Sequence, residues 1–261
     1  MIRTRKRFGQ HFLHDQSVLA RIVAAVDPQP GQHLVEIGPG AGALTALLLQ
    51  RVPVIDAVEI DRDLAALLQE RWPTQLRLHG IDALQFDFAA LARERGGRLR
   101  VVGNLPYNIS TPLLFHLLRS VEAIDDLHVM LQREVIDRMA AAPGSDDYGR
   151  LTVMLAPWVQ VAKLFDVGPG AFKPPPRVWS AVARLTVRRE PLFAVPPAYA
   201  AVVAAAFSAR RKTLRNGLRQ LLPDAAWAHC DIDPGARPET LSPAQFAALA
   251  TLATAPQAVI T

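Results

Sequence analysis

His33-Leu34-Val35-Glu36-Ile37-Gly38-Pro39-Gly40-Ala41-Gly42-Ala43-Leu44-Thr45-Ala46-Leu47-Leu48-Leu49 is a short apolar run, a glycine turn and a second apolar run. The first part reads as a strand, His33–Ile37, and Ala43–Leu49 reads as a helix. Glycines at such a turn let a ligand lie directly on the main chain. Working outward, the alternation continues. Val54–Glu59 reads as a strand, Arg62–Glu70 as a helix and Leu76–His79 as a short strand. Strand Leu99–Gly103 precedes helix Thr111–Leu118, and strand Leu127–Leu131 precedes helix Arg133–Ala141. Upstream, a helix is expected from about Ser17 to Val26, with Ser17 as N-cap and Val18, Ile22 and Val26 on one face. Short apolar strands alternating with helices predict an α/β fold, a parallel sheet with helices on both faces. Trp158–Val167 and Ser180–Val187, separated by a Gly/Pro-rich loop, fit an antiparallel hairpin closing that sheet.

The pattern changes at Glu190–Pro197, which reads as a linker. Beyond it, Ala198–Leu222, Asp224–Cys230 and Pro243–Thr254 all read as helix. Two domains are therefore expected, 1–189 and a small all-helical 190–261. The 261 residues suffice for both, and a composition of 50% hydrophobic and 20% charged residues is that of an ordinary globular chain. No apolar run approaches bilayer length, and no apolar stretch follows the basic N-terminus, so neither a membrane span nor a signal peptide is expected. Cys230 is the sole cysteine. That excludes an intramolecular disulfide and a multi-cysteine zinc site; no metal site is expected, and a reducing cytoplasm is the expected compartment. No dimerisation stripe is evident, and a monomer is expected.

Glu59, ending the second strand, is placed to accept hydrogen bonds from ribose hydroxyls. Gly38-Pro39-Gly40-Ala41-Gly42 with Glu59 suits a methyltransferase, but also a nicotinamide or flavin enzyme, and the constellation alone leaves these open. Asp82, after the third strand, is placed to meet the exocyclic amine of an adenine, or simply caps Ala83–Phe86.

Asn104-Leu105-Pro106-Tyr107 decides the chemistry. It ends a buried strand, at the carboxyl edge of the sheet where ligands of such folds bind. Pro106 fixes a turn and keeps Leu105 extended, so the Asn104 side-chain oxygen and the Leu105 carbonyl can converge on one point. Two acceptors suit one NH2 group. The N6 lone pair of adenine is delocalised into the ring; two accepted hydrogen bonds favour a pyramidal nitrogen aimed at a methyl donor. When that methyl sits on a sulfonium, no potent base is needed, and positioning with preorganised dipoles carries the catalysis. Tyr107 offers a ring face to a flipped base. Read alone, the tetrapeptide is an ordinary turn. After a glycine loop, an acidic strand end and an aspartate in that order, it points to adenine N6 methylation.

With these segments the chain resembles the ribosomal RNA adenine dimethyltransferases of the bacterial small subunit. The resemblance rests on Lys6-Arg7-Phe8-Gly9-Gln10-His11-Phe12-Leu13, Val35–Gly40, Val58-Glu59-Ile60-Asp61, Gly103–Pro112 and Phe172-Lys173-Pro174-Pro175-Pro176-Arg177-Val178. It covers almost the whole chain and weakens in the helical tail. It implies a Rossmann-like class I methyltransferase domain using S-adenosyl-L-methionine, with S-adenosyl-L-homocysteine as product. It implies a role in ribosome biogenesis, dimethylating two adjacent adenosines in a loop near the 3′ end of small-subunit rRNA, free or in a small-subunit precursor. It also implies that residues 1–16 fold over the cofactor through His11 and Leu13. Glu59 would hold the ribose, Asp82 the adenine amine, and Gly38 and Asn104 the methionine part, with Gly40 also binding the cofactor. Phe172 would be the second aromatic wall of the target pocket, although by itself it reads as a core phenylalanine.

The charge balance is 29 Lys plus Arg against 24 Asp plus Glu, a modest excess, so distribution says more than the total. Arg3, Arg5, Lys6 and Arg7 form one cluster and Arg210, Arg211, Lys212, Arg215 and Arg219 another. Arg211, Arg215 and Arg219 are spaced four apart, so a continuous helix would put them on one face. That face is either a solvated surface or a phosphate-binding one, and the helical domain is the candidate for ribosome docking. Two other readings stay open: a large-subunit rRNA adenine dimethyltransferase, and a ribosome-assembly factor whose binding matters more than its catalysis.

Overall fold

The computed structural model describes residues 11–208 and 212–253. It divides into two compact units, Met1–Ile136 with Val161–Val187, and Asp137–Gln160 with Arg188–Thr261. Residues 137–160, read from the sequence as part of the first domain, belong to the second unit.

In chain order the elements are β1 (Phe12–Leu13), α1 (Gln16–Val26), β2 (His33–Ile37), α2 (Ala43–Leu48), β3 (Ile55–Val58), α3 (Arg62–Arg71), β4 (Leu76–His79) and α4 (Phe88–Arg95). There follow β5 (Leu99–Asn104), α5 (Ser110–Leu118), β6 (Ile124–Gln132), α6 (Arg133–Met139), α7 (Arg150–Leu155), β7 (Val159–Val167), β8 (Phe172–Lys173) and β9 (Ser180–Val187). The last three are α8 (Tyr199–Phe207), α9 (Leu214–Leu218) and α10 (Pro243–Leu252).

Seven strands form one sheet in the order β4-β3-β2-β5-β6-β9-β7. The first five are parallel neighbours, and β9 runs antiparallel to β6, with Ser180 opposite Gln132. The strand-like pair near the C-terminal end of this unit does join the sheet, but β9 enters inside β7. The parallel strands are apolar because both faces are covered. On one face Leu19, Ile22 and Val26 of α1 and Leu44 and Leu48 of α2 pack with Ala57, Val102 and Met130 of the sheet.

Local chemistry moves several boundaries. Asp15, not Ser17, caps α1: its carboxylate accepts from the main-chain N–H groups of Ser17 at 2.9 Å and Val18 at 3.1 Å. α4 was not anticipated, although Asp87 caps it and Gly96 ends it in the left-handed conformation. The two-residue ladder β1–β8, also unanticipated, ties the start of the described chain to the loop before β9.

The helical unit has its own core, including Tyr148, Val153, Tyr199, Val202, Leu214, Leu218, Trp227 and Phe246. The hydroxyl of Tyr199 donates to the carbonyl of Val153 at 2.9 Å and that of Tyr148 to Leu241 at 2.7 Å. These bonds and the burial of Val153 hold 137–160 in this unit. The single helix expected over Ala198–Leu222 is not formed. α8 ends at Phe207, and Thr213 is extended as the N-cap of the short α9. Asp224–His229 is a 3-10 helix.

Candidate active site

The carboxyl ends of β2, β3 and β5 open into a cleft of about 260 Å³. It is lined by His11, Phe12, Gly38, Gly40, Glu59, Ile60, Asp82 and Asn104–Ile109. Its floor is the glycine turn. Gly38 and Gly40 adopt φ of 66° and 57°, in the left-handed region that a side chain disfavours. A Cβ on Gly40 would stand 3.0 Å from the Phe12 ring, so the β1–β8 ladder lays Phe12 directly on the turn. Next to it, Gly103 allows β5 to approach β2; a Cβ there would collide with the Ile37 carbonyl.

Glu59 stands at the end of β3. One carboxylate oxygen accepts from the Asp61 N–H at 2.9 Å and the other from the Gly40 N–H at 3.3 Å, which couples the acid to the turn. Burial raises its pKa, and the two main-chain donors partly offset that. Ile60 beside it is 47% exposed, an apolar surface for a planar group. Asp82 also lines the cleft, and one of its oxygens accepts from the Leu84 N–H at 2.9 Å. The capping reading of Asp82 and its position in the cleft therefore hold together.

Asn104 donates its side-chain N–H to the His11 carbonyl at 3.0 Å. The amide oxygen is then the group left for a ligand. Leu105 is buried, so it meets the cleft through its main chain. Tyr107 begins a single 3-10 turn, and its hydroxyl shares a 2.6 Å hydrogen bond with the buried Ser180 hydroxyl. Burial pushes the phenol up, and the Ser180 bond opposes this in part. His11 is anchored through Nδ1 to the Pro174 carbonyl at 2.8 Å.

Thus His11, Gly38, Gly40, Glu59, Asp82, Asn104, Leu105 and Tyr107, singled out from the sequence, meet in one cleft. Two do not. Phe172 is 2% exposed, and Leu13, buried with it in the sheet core, lines instead a smaller neighbouring cavity shared with Phe12, Gly38, Gly40 and Asn104. They are direct partners in the β1–β8 ladder, so their side chains share a face, while Phe12 takes the opposite side toward Gly40. In this arrangement Phe172 is a core residue, not a wall of the cleft. Phe12, Ile60, Pro106, Asn108 and Ile109 were missed. The signal was adjacency: each flanks a residue already selected.

Of the basic residues, Arg215 and Arg219 are exposed, and Arg211 lies outside the described residues, as does the cluster Arg3–Arg7. Arg215 sits in α9 and Arg219 just past its end, with Asp224 3.5 Å from the Arg215 side chain. The extended Thr213 removes the continuous helix that would have aligned all three. Among the described residues no helix is long and apolar enough to cross a membrane, and no group of three or more His, Cys, Asp or Glu is placed to hold a metal ion.

The sequence profile of the family described as Ribosomal RNA adenine dimethylase matches residues 1–255. A protein of Methylococcus capsulatus named Ribosomal RNA small subunit methyltransferase A is 54% identical over 253 residues, 94% of this chain and 96% of its own length. A Pseudomonas aeruginosa protein of the same name is 52% identical over 252 residues, covering 95% and 94%. Among solved structures, a dimethyladenosine transferase from Plasmodium falciparum superposes with a TM-score of 0.76 at 22% identity over 93% of this chain and 99% of its own. The 23S rRNA methyltransferase ErmE gives 0.69 at 28% identity over 92% and 98%.

Proposed function

The chain belongs to the ribosomal RNA adenine dimethylase family, and from that premise we propose that it dimethylates N6 of two adjacent adenosines near the 3′ end of small-subunit rRNA. The observation that carries this reading is the orientation of Asn104. Its N–H is committed to the His11 carbonyl, which leaves its oxygen, with the Leu105 carbonyl, for an amine entering the cleft.

The residues of the cleft fit S-adenosyl-L-methionine. The glycine turn presents bare main chain, Glu59 is an acidic acceptor for ribose hydroxyls, and Ile60 and Asp82 offer an apolar surface and an acceptor to an adenine ring. When bound, this cofactor supplies an electrophilic methyl group on a sulfonium with a neutral leaving group. The protein's own part is positional. Asn104 and Leu105 accept hydrogen bonds from the adenine amine and orient its lone pair. Tyr107, its hydroxyl fixed by Ser180, holds a ring face for the flipped base. Phe12, held by the β1–β8 ladder, lies against Gly40 at one side of the turn. The target adenosines should be unpaired, because leaving a duplex would cost a few kcal/mol more.

The helical unit is the proposed ribosome-docking part, with Arg215 and Arg219 toward phosphates. The test is transfer of labelled methyl from S-adenosyl-L-methionine to unmethylated small subunits, followed by mapping. Two adjacent dimethyladenosines near the 3′ end are expected; modification only of large-subunit RNA or of DNA would overturn the assignment.

A further inference from the structure

Trp179 is 50% exposed, and Val178 beside it is 44% exposed. A tryptophan and a valine left together in water form an apolar spot whose burial by a partner would be favourable. The backbone here is not loose. The Trp179 carbonyl accepts from the Arg133 N–H at 2.9 Å, and Ser180, the next residue, holds the Tyr107 hydroxyl. The indole itself is braced against the main chain at Gly168, where a Cβ would lie 3.6 Å from the ring. The ring is therefore presented to solvent on a fixed support.

Its place is the same carboxyl edge that carries the cleft. Tyr107 follows β5, Trp179 precedes β9, and the sheet order at that point is β5-β6-β9. Two strand intervals, about 10 Å, separate those strand ends. The surroundings are cationic. Lys173 is exposed at the end of β8 and Arg177 on the loop that follows it, Arg133 is exposed at the start of α6, and the segment from Gly168 to Arg189 contains no acidic residue. An aromatic face with Lys173 and Arg177 on an acid-free segment matches a stacked base with its phosphates, although the exposed Glu134 follows Arg133.

We propose that Trp179 is a stacking platform for an unpaired nucleotide flanking the target adenosine, with Lys173 and Arg177 meeting the adjacent phosphates. This deepens, and rests on, the rRNA reading of the cleft. The platform holds RNA outside the reacting centre, so it contributes to substrate affinity and register and not to methyl transfer itself.

The experiment is steady-state methylation of unmethylated small subunits at saturating S-adenosyl-L-methionine by the full-length protein, Trp179→Ala and Trp179→Phe. Trp179→Ala is expected to raise KM for the subunit by about tenfold, with kcat and cofactor affinity unchanged and most of the loss restored in Trp179→Phe. Tryptophan emission should also be quenched when an unpaired RNA oligonucleotide binds the wild type, and quenched less in Trp179→Phe. An unchanged KM in Trp179→Ala beside an active wild type overturns the platform alone. A Phe variant as poor as Ala overturns stacking. Loss of affinity for whole subunits but not for protein-free small-subunit RNA would place a ribosomal protein on the ring and overturn the proposal. A wild type inactive on small-subunit RNA overturns the functional reading and the platform with it.

Discussion

The imidazole of His11 lies over the ring of Tyr107, with centroids 5.7 Å apart and planes inclined by 28°. Offset-stacked rings sit about 4.5–7 Å apart, so no third ring fits between these two. A target adenine must use the other face of Tyr107 or displace His11. His11→Ala keeps the main-chain carbonyl that Asn104 holds and removes the competing ring together with its Nδ1 contact to the Pro174 carbonyl. The expected outcome is a lower KM for small subunits with unchanged cofactor affinity. A raised KM would make His11 a wall of the base site instead of a competitor for it.

Tyr107→Phe preserves the stacking face but leaves the buried Ser180 hydroxyl without its partner. An orphaned buried hydroxyl costs about 1–3 kcal/mol, whereas removing both partners together is closer to neutral. Urea unfolding should therefore show Tyr107→Phe destabilised and Tyr107→Phe/Ser180→Ala largely recovered. Single-turnover methyl transfer should stay near wild type in both, while Tyr107→Ala should lose RNA affinity and rate together. Additive losses of stability in the double variant would mean that the bond does not link the two side chains.

Glu36 gives the fold a pH dependence. Burial in β2 pushes its carboxyl from 4.5 up to about 7; the Thr45 hydroxyl, donating at 2.6 Å, opposes this, and nearby Glu59 adds to it. Between these values the folded protein keeps a proton that the unfolded chain has lost. The contribution of Glu36 to stability is therefore greatest below about 4.5 and is lost as pH rises through about 7. A shift of this size is worth on the order of 3 kcal/mol. Glu36→Gln stays neutral and can still accept from Thr45. Denaturant midpoints at about pH 5 and about pH 8 should differ less for it than for wild type, with the variant more stable at the higher pH. Equal pH dependence in the two proteins would assign the titration to another group.

Much of this site was legible because its determinants are local. Gly38 and Gly40 announce a turn that only glycine adopts without strain, and Asn104–Tyr107 announces an extended turn after a strand. What escaped depends on distant pairing. Nothing near Phe172 in sequence reveals that Leu13 will sit opposite it, and that pairing turns an apparent pocket residue into core. Likewise, Tyr148 and Val153 read as part of the first domain because the partners that hold them in the second, among them the Leu241 carbonyl and Tyr199, lie about ninety and forty-six residues onward. The four-residue arginine spacing misled for the opposite reason: a local rule was applied across Thr213, whose backbone is extended.

Arg215 and Arg219 test the docking role of the helical unit. Arg215 is exposed, and its contact with the still more exposed Asp224 is long and well screened. Each arginine that meets a phosphate should steepen the salt dependence of binding by about one unit in log–log slope. Arg215→Ala and Arg219→Ala should each lower that slope, and Asp224→Ala should leave it intact while tightening binding at low salt. Unchanged slopes would return both arginines to the status of a solvated surface.

Asn104 separates catalysis from binding. Asn104→Ala removes the side-chain acceptor aimed at the reacting amine and the donor that holds the His11 carbonyl. The RNA surface outside the cleft is untouched, so subunit affinity should change little. Methyl transfer should fall by roughly a hundredfold or more, as for loss of one preorganised polar contact. The His11 tether complicates this comparison, because its release alone could loosen cofactor binding; cofactor must therefore be saturating, and its affinity measured separately. Asn104→Asp sharpens the test. It keeps two acceptor oxygens for the amine but sets a carboxylate against the His11 carbonyl, so the tether fails while the acceptor survives. If the acceptor drives catalysis, single-turnover rates at saturating cofactor should run wild type, then Asp, then Ala, with cofactor affinity weakened in both variants. If Asn104 serves only to tether the segment carrying His11, Asp and Ala should be equally impaired. A fully active Asn104→Ala enzyme would reduce the tetrapeptide to a turn and remove the chemical basis of the mechanism.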